Sequence, residues 1–427
     1  MSGAAAIRRR YLILSFTRWL PTGLLIPLLT IVPQQRGLSL AEIGLITAIG
    51  GAVVIALELP TGGLADVLGR RPVLLAATAC NLASTGLIAF AGSFRLYALA
   101  WCIEGVYRAL ESGPLDAWYV DAAQRADPDV DIEKGLSRRG LVLSVAIGVG
   151  ALASGGLSLL PQPSRLPVLA LPILVSLGLR VVDAIALAVL LQEDRPPAEA
   201  TDSRLAGALA AVRGTGSQLR ESMTLLRASA ALLALAATEA LWGAGMAGVE
   251  VFAGPRLVEL LGDAQGGVFV FALAATISWS ISGAGSSAAP WLARRTGGWV
   301  NAAIATRVAQ GAGVLVAGLV AGPAGLLTGY LGFYLFHGAA NVAHSGLLNR
   351  SVGATHRATM ISVNSLTSRL GGVIGAPLLG LVATGAGSAW VFVAAAVLLA
   401  AGGPLYLLAR PSPAGADGAP PALEGSA

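Results

Sequence analysis

Long apolar runs separated by short turns and charges recur along the whole chain, and twelve of them have the length of a bilayer crossing. They lie near residues 11–32, 40–60, 72–91, 96–120, 140–160, 166–191, 230–252, 268–289, 299–321, 324–348, 358–383 and 388–408. An α-helix needs roughly 20 apolar residues to cross a hydrocarbon layer about 30 Å thick. The breaks carry turn and charge signals such as Pro33-Gln34-Gln35-Arg36-Gly37, Gly69-Arg70-Arg71-Pro72 and Pro161-Gln162-Pro163. A β-barrel would show alternating segments of about ten residues, whereas 391–399 and 232–237 are apolar at every position. The pattern predicts an all-α membrane protein with twelve transmembrane helices in two six-helix, pseudo-symmetric bundles.

Composition agrees with that pattern: 55% of the 427 residues are hydrophobic and 12% are charged, a balance a soluble domain does not have. The 55 glycines fall mostly inside apolar runs, where small residues let helix backbones approach in lipid. Arg8, Arg9 and Arg10 followed by an apolar stretch resemble a secretory signal, but Arg18 interrupts the run and no small-residue cleavage site follows. The segment therefore reads as a retained first helix. Cys80 and Cys102 both fall inside spans and make no disulfide framework.

Charge sets the expected topology. Of 28 basic residues, 19 fall on the amino-terminal side of the twelve spans and four, Arg36, Arg95, Arg165 and Arg256, on the other. The remaining five, Arg18, Arg108, Arg180, Arg307 and Arg369, lie inside spans. Basic loops stay in the cytoplasm, so the expectation is a multi-pass protein of the cytoplasmic membrane with both termini cytoplasmic. The net charge of +5 is spread over many loops and implies no nucleic acid partner. Residues 196–228 form the longest polar stretch, with apolar residues at helical spacing among arginines, as in a helix lying on a membrane surface. The expected organisation is a first bundle over 1–195, a linker with an amphipathic helix over 196–228, a second bundle over 229–410 and a disordered tail over 411–427.

The bundles echo one another. Residues 104–116 align without a gap to 337–349, with four identities and every polar position of one stretch polar in the other. A weaker echo pairs 139–145 with 357–363. Parallel six-helix repeats about an axis along the membrane normal are a transporter architecture, with the substrate site between them near the midplane.

The turn after the second span reads Gly62-Gly63-Leu64-Ala65-Asp66-Val67-Leu68-Gly69-Arg70-Arg71-Pro72-Val73-Leu74. It resembles the signature loop of the major facilitator superfamily at every fixed position but one, Val67 standing where a basic residue is usual. With twelve spans, cytoplasmic ends and a central linker, the resemblance covers almost the whole chain and implies a secondary transporter working by alternating access. It implies that Gly62, Leu64, Asp66, Gly69, Arg70 and Arg71 form a cytoplasmic gate. Asp66 would then sit near the start of the eleventh helix, where the helix dipole favours an anion, and Arg70 and Arg71 would pair with carboxylates of neighbouring helices. The second half's copy, residues 290–298, lacks the aspartate. Two features of the efflux branch are missing: Trp101 stands where the fourth helix usually has arginine, and the fifth has no Gly-Pro pair.

The resemblance also implies that the first, fourth, seventh and tenth helices line a central cavity, and these carry most of the buried charge: Arg18; Glu104, Arg108 and Glu111; Glu239 and Glu250; His337, Asn341 and His344. Ionisable groups inside a membrane are costly and mark function by default. Glu104, Arg108 and Glu111 at i, i+4 and i+7 share one helix face. Proton carriage by Glu104, Glu111 or Glu239 is expected, because low-dielectric surroundings favour a neutral carboxyl and a nearby arginine the charged one. His337 and His344 are second candidates. The alternatives are a self-satisfied triplet on the fourth helix and histidines that only bridge helices.

No P-loop, metal-ligand spacing or catalytic constellation is present. The expectation is therefore a non-enzymatic monomer without cofactor, with a lipid bilayer around it and protons as coupling ion. Proton-coupled efflux of a lipophilic or amphiphilic small molecule leads. Uptake of a polar or anionic nutrient by Arg18 and Arg108 is the alternative within transport, and a non-transporting receptor or scaffold the alternative outside it.

Overall fold

The computed structural model describes residues 3–62, 64–193, 223–224, 226–227, 229–352 and 356–409. The linker expected over 196–228 and the tail expected over 411–427 fall almost wholly outside the described residues. Twelve helical rods run through the rest: α1 Gly3–Leu25, α2 Leu40–Gly62, α3 Arg70–Phe90, α4 Phe94–Glu111, continued by a helix over Pro114–Ala126, α5 Ile132–Ser158 and α6 Ala170–Leu190. The second half has α7 Ala230–Leu261, α8 Ala264–Arg295, α9 Trp299–Leu319, α10 Gly322–Arg350, α11 Arg357–Ala386 and α12 Ser388–Leu405.

Nine of the described rods are long and apolar enough to cross a membrane; α1, α4 and α10 are not among them. Those three carry Arg18, the Glu104–Arg108–Glu111 series and the His337–Asn341–His344 series. A helix facing other helices and an aqueous space need not be apolar all round, so the shortfall marks the rods on the protein's interior seam.

The repeat is imperfect at one point. α4 ends at Glu111 and the chain restarts at Pro114, with Gly113 at φ 97° between them. Its counterpart α10 runs unbroken to Arg350. Pro114 has no N–H to continue the helix and suits the first turn of the next one, whereas the second half has Leu347 there.

The halves share one apolar core, at one end of the bundle, and α2 and α11 carry the contact on toward the other. A single hydrophobic core joins Leu25, Ile31, Ile43 and Trp101 of the first half to Val249, Phe252, Phe271 and Leu379 of the second. Toward the face that carries the start of α1, the core splits: Tyr11, Leu14, Trp118 and Leu187 pack within the first half, and Leu235, Leu347, Met360 and Tyr406 within the second. The apolar seal between the halves thus lies at the far face, and toward the terminal face they touch through the ion pair of Arg369 and Glu58, 3.4 Å apart. The seal is built on small residues. A Cβ on Gly44 would lie 2.3 Å from the Ala376 carbonyl oxygen, and one on Gly254 would lie 3.1 Å from Ile31. Ser158 at the end of α5 donates to the Gln265 carbonyl of α8 at 3.1 Å.

Within the second half, α7 and α11 cross at Gly243 and Gly371. A Cβ on Gly371 would stand 2.0 Å from the Ala240 carbonyl oxygen, and one on Gly243 1.9 Å from that of Ser368. Neither carbonyl can yield without breaking its helix. Gly371→Val is expected to destroy the crossing, since overpacking a tight contact costs about 1–3 kcal/mol or more. The check is monodispersity on size exclusion, with Gly283→Val, which meets nothing within 4 Å, keeping the wild-type profile.

Arginines on the far face have structural duties. Arg36 donates to the carbonyls of Ile88 at 2.7 Å and Ala91 at 3.2 Å at the end of α3, and to Val168 at 3.1 Å. A cation there satisfies carbonyls that a helix end leaves unpaired. Arg256 bonds Glu259 at 2.9 Å and Ser388 at 3.0 Å.

Candidate functional site

The buried charges fall into two knots, one in each half. In the first, Arg18 of α1 is 2% exposed and lies 3.4 Å from Glu111 of α4 and 3.9 Å from Asp183 of α6. Thr17 donates to Asp183 at 2.9 Å, and the Arg18 guanidinium sits 5.9 Å from the Tyr107 ring centre. Arg180, three residues before Asp183 on α6, is within electrostatic reach of Glu104, Tyr107 and Asp183. The α4 series is therefore divided: Glu111 turns to Arg18, while Arg108 turns back one turn to Glu104 at 3.4 Å. It is not a self-contained triplet.

In the second knot, Glu239 of α7 accepts from the Arg307 guanidinium of α9 at 2.8 Å and lies 3.5 Å from His344 Nε2 of α10. Arg307, fully buried, also reaches Gln310 at 3.1 Å and the Tyr406 hydroxyl at 3.3 Å. His344 pairs with the Tyr406 hydroxyl at 2.8 Å and with Asn364 Oδ1 at 3.0 Å. Two turns from His344 along α10, His337 contacts Asn341 at 3.0 Å and Gln310 at 3.5 Å, and its ring stacks on Trp242 at 5.4 Å.

Glu111 and His344 occupy matching positions in the repeat, so the two knots are versions of one contact with the charges exchanged. In the first half a cation on α1 meets an anion on α4. In the second an anion on α7 meets an imidazole on α10. The exchange is invisible along the chain, because only the alignment of 104–116 with 337–349 is local and the partners come from other helices.

Three of the glutamates on the cavity helices are thus already in contact with arginine: Glu104 with Arg108, Glu111 with Arg18, Glu239 with Arg307. The fourth, Glu250 of α7, is exposed although Val249 and Val251 on either side are buried in the seal. Among the described residues it makes no ion pair, and it lies within electrostatic reach of Arg108 across the seam and of Tyr330 and Tyr334 on α10. Arg108 is 54% exposed. At about 1.5 Å per residue, Arg108 lies about 21 Å along α4 from Phe94 and Glu250 about 16 Å along α7 from Leu261. The two therefore stand at similar depth below the seal, on opposite walls of the space that opens to the terminal face. Sequence reasoning placed Glu250 on a cavity helix but gave it no role. The signal was present: it is the lone charge between Leu241 and Pro255.

Aromatic side chains on the cavity helices are mostly committed to packing. Trp101, Tyr107 and Phe333 are buried, and Phe333 and Trp242 both lie against His337. Trp19 and Trp242 are half-buried.

The signature turn is held within the first half. Gly62 ends α2, Leu64 and Asp66 lie on a short helix over Leu64–Leu68, and Gly69 has φ 93°; the Asp66 side chain lies outside the described residues. Arg70 donates to the Ala117 carbonyl at 2.9 Å and pairs with Asp121. Arg71 departs from the expected carboxylate pairing and donates to the Ala188 carbonyl at 2.7 Å. The carboxylate sequence reasoning missed is Glu193, which accepts from the backbone N–H groups of Arg70 at 2.9 Å and Arg71 at 3.1 Å, capping the start of α3. Among the described residues, a cation–carboxylate contact on this side crosses the halves: Arg369 of α11 lies 3.4 Å from Glu58 of α2.

Among the described residues no group of three or more His, Cys, Asp or Glu could hold a metal ion. Comparison with known proteins agrees with the architecture. Residues 11–336 match the family model of the Major Facilitator Superfamily. Solved structures of similar fold include the nucleoside transporter NupG, at 14% identity over 94% of this chain and 98% of that one, with a TM-score of 0.72. A bacterial homolog to the human lysosomal transporter Spinster, in an inward-facing and unoccupied conformation, has 16% identity over 96% of this chain and 98% of that one, with a TM-score of 0.68. No curated protein matches the sequence at a significant level. With two six-helix halves around a charged seam and a family model covering most of its length, the chain belongs to the major facilitator superfamily.

Proposed function

We propose that this protein is a proton-coupled secondary transporter that takes up a small polar or anionic solute by alternating access. The observation that carries the reading is the pair of exposed opposite charges, Arg108 and Glu250, facing one another from the two halves just below the seal. With cytoplasmic termini, the open face is the inner one.

The mechanism follows from what closure must bury. Sealing the terminal face over the cavity takes Arg108 and Glu250 out of water, and an uncompensated charge at mid-membrane costs about 3 kcal/mol on insertion scales. Arg108 is half-neutralised by Glu104 and completes its coordination on an acidic or strongly polar group of the solute. Glu250 has no carboxylate-binding partner on its own half among the described residues, and once Arg108 is taken up by Glu104 and the solute it is neutralised by a proton. The cavity then closes readily when both solute and proton are aboard, or when both are absent and Arg108 and Glu250 neutralise one another. A ligand shifts such an equilibrium only by its differential affinity for the two states, and the two charges supply that difference.

Glu239 and His344 form a second titratable pair, more deeply enclosed and tied to Arg307; they fit a role in holding the second half together as it moves. The committed packing of the aromatic side chains favours a polar solute over a lipophilic one, and the solved nucleoside transporter of this fold accords with a polar cargo.

The test is flux into proteoliposomes with an imposed pH gradient, using a panel of labelled carboxylates, phosphates and nucleosides. At least one member should accumulate in wild type, and Arg108→Gln should abolish its uptake. Uptake unaffected by Arg108→Gln, or flux confined to lipophilic dyes, would remove the proposal.

A further inference from the structure

We propose that a groove on the flank of the first half is a binding site for an anionic phospholipid. The groove, about 450 Å³, lies between the first turns of α1 and the start of α5, with Arg8, Arg9 and Arg138 at its rim and Leu12, Phe16 and Val142 in its wall. It lies outside the central cavity and serves no step of transport derived above.

Three arginines from two helices line it, and among the described residues no carboxylate pairs with any of them. Neighbouring arginines are otherwise engaged: Arg10 donates to Gln192 at 2.8 Å, and Arg139 pairs with Asp116 at 3.0 Å. A groove lined by three arginines that meet no carboxylate among the described residues complements a phosphodiester, whose oxygens accept the planar fork of arginine in pairs.

The wall distinguishes a lipid from a free anion. Next to Val142 the exposed side of α5 carries an apolar strip, with Leu141 68% exposed and Val145, Val149 and Leu152 also exposed. Successive members stand one turn apart, so the strip runs from the basic rim toward the middle of the bilayer. A headgroup at the arginines therefore places its acyl chains along a surface that already belongs to lipid. Free phosphate gains nothing from that strip, and a zwitterionic lipid sets its own cation against the rim.

α5 also forms part of the seam between halves, where a Cβ on Gly155 would lie 3.1 Å from Ala272 of α8. A lipid seated on its outer side braces a helix that must move against α8 when the halves rock.

Native mass spectrometry of the purified full chain tests this, with phosphatidylglycerol or phosphatidylcholine added in equal amounts. Wild type should retain phosphatidylglycerol with about tenfold preference or more, given the pull of each basic residue on an anionic headgroup. The triple variant Arg8→Gln, Arg9→Gln, Arg138→Gln should lose that preference while keeping its melting temperature. The control Arg294→Gln with Arg295→Gln, on the same face but in the second half, should keep it. Equal retention of the two lipids by wild type overturns the proposal. So does preference surviving in the triple variant, an equal loss in the control, or displacement of the lipid by millimolar inorganic phosphate. If the triple variant does not fold, Arg138→Gln alone decides by the same readout.

Discussion

Glu250→Gln is expected to separate exchange from accumulation. Glutamine reproduces the protonated carboxyl in size and charge, so the cavity of the variant closes without waiting for a proton. Solute-for-solute exchange across proteoliposomes should then continue at a rate near wild type. Accumulation driven by a pH gradient should vanish. A gradient of one pH unit is worth about 1.4 kcal/mol per proton, which sustains about tenfold accumulation under electroneutral one-to-one coupling. Wild type should approach that ratio, and the variant should stop at equilibration. The pH profile carries the same sign. The protonated fraction of Glu250 falls as pH rises, so wild-type uptake slows toward high pH on the loading side while exchange by the variant stays flat. A variant that still concentrates solute would exclude Glu250 as the coupling group.

The second large effect concerns stability. Arg307→Leu is expected to destabilise the protein by about 3–5 kcal/mol, the usual cost of stranding one member of a buried ion pair. The group left behind is the Glu239 carboxylate, which accepts from Arg307 at 2.8 Å in a site that is almost sealed from solvent. Glu239→Gln combined with Arg307→Leu should recover most of the loss, because no charge then remains buried without a partner. Differential scanning fluorimetry of the four proteins of the cycle measures the coupling directly. Additive losses would mean that the two side chains do not act as a pair. Arg108→Gln provides the contrast: with its side chain 54% exposed, it should affect the melting temperature far less than it affects uptake.

The two predictions differ because the charged residues inside the spans do different work. Arg18 and Arg307 look equivalent to Arg108 in the sequence, each a lone arginine in an apolar run. In the fold, Arg18 and Arg307 are enclosed by partners from two or three other helices, and Arg108 leans only on a residue of its own helix. In the uptake alternative Arg18 and Arg108 shared the binding of a polar or anionic nutrient; the enclosure of Arg18 by Glu111 and Asp183 is why the proposal rests on Arg108.

Much of the architecture could be read along the chain for a simple reason. Crossing a bilayer requires local runs of apolar residues with internally satisfied backbones, so each span is written in consecutive residues. The turn after the second span, the bias of arginines toward one side and the echo between α4 and α10 are local in the same sense. So was the helix break at Gly113-Pro114, which a stricter reading of the Gly-Pro signal in residues 96–120 would have placed.

Sequence alone thus determined the helices, their pairing into repeats and the set of ionisable groups that lipid would not tolerate. Tertiary structure alone decided which of those groups neutralise one another. Ion-pair partners sit on helices far apart in sequence, as Arg307 and Glu239 or Arg18 and Asp183 do, and the geometry that joins them arises only when the bundles pack. Glu250 stands out for the same reason: what sets it apart is the absence of an ion-pair partner among the described residues, and that becomes visible only once every neighbour is in place.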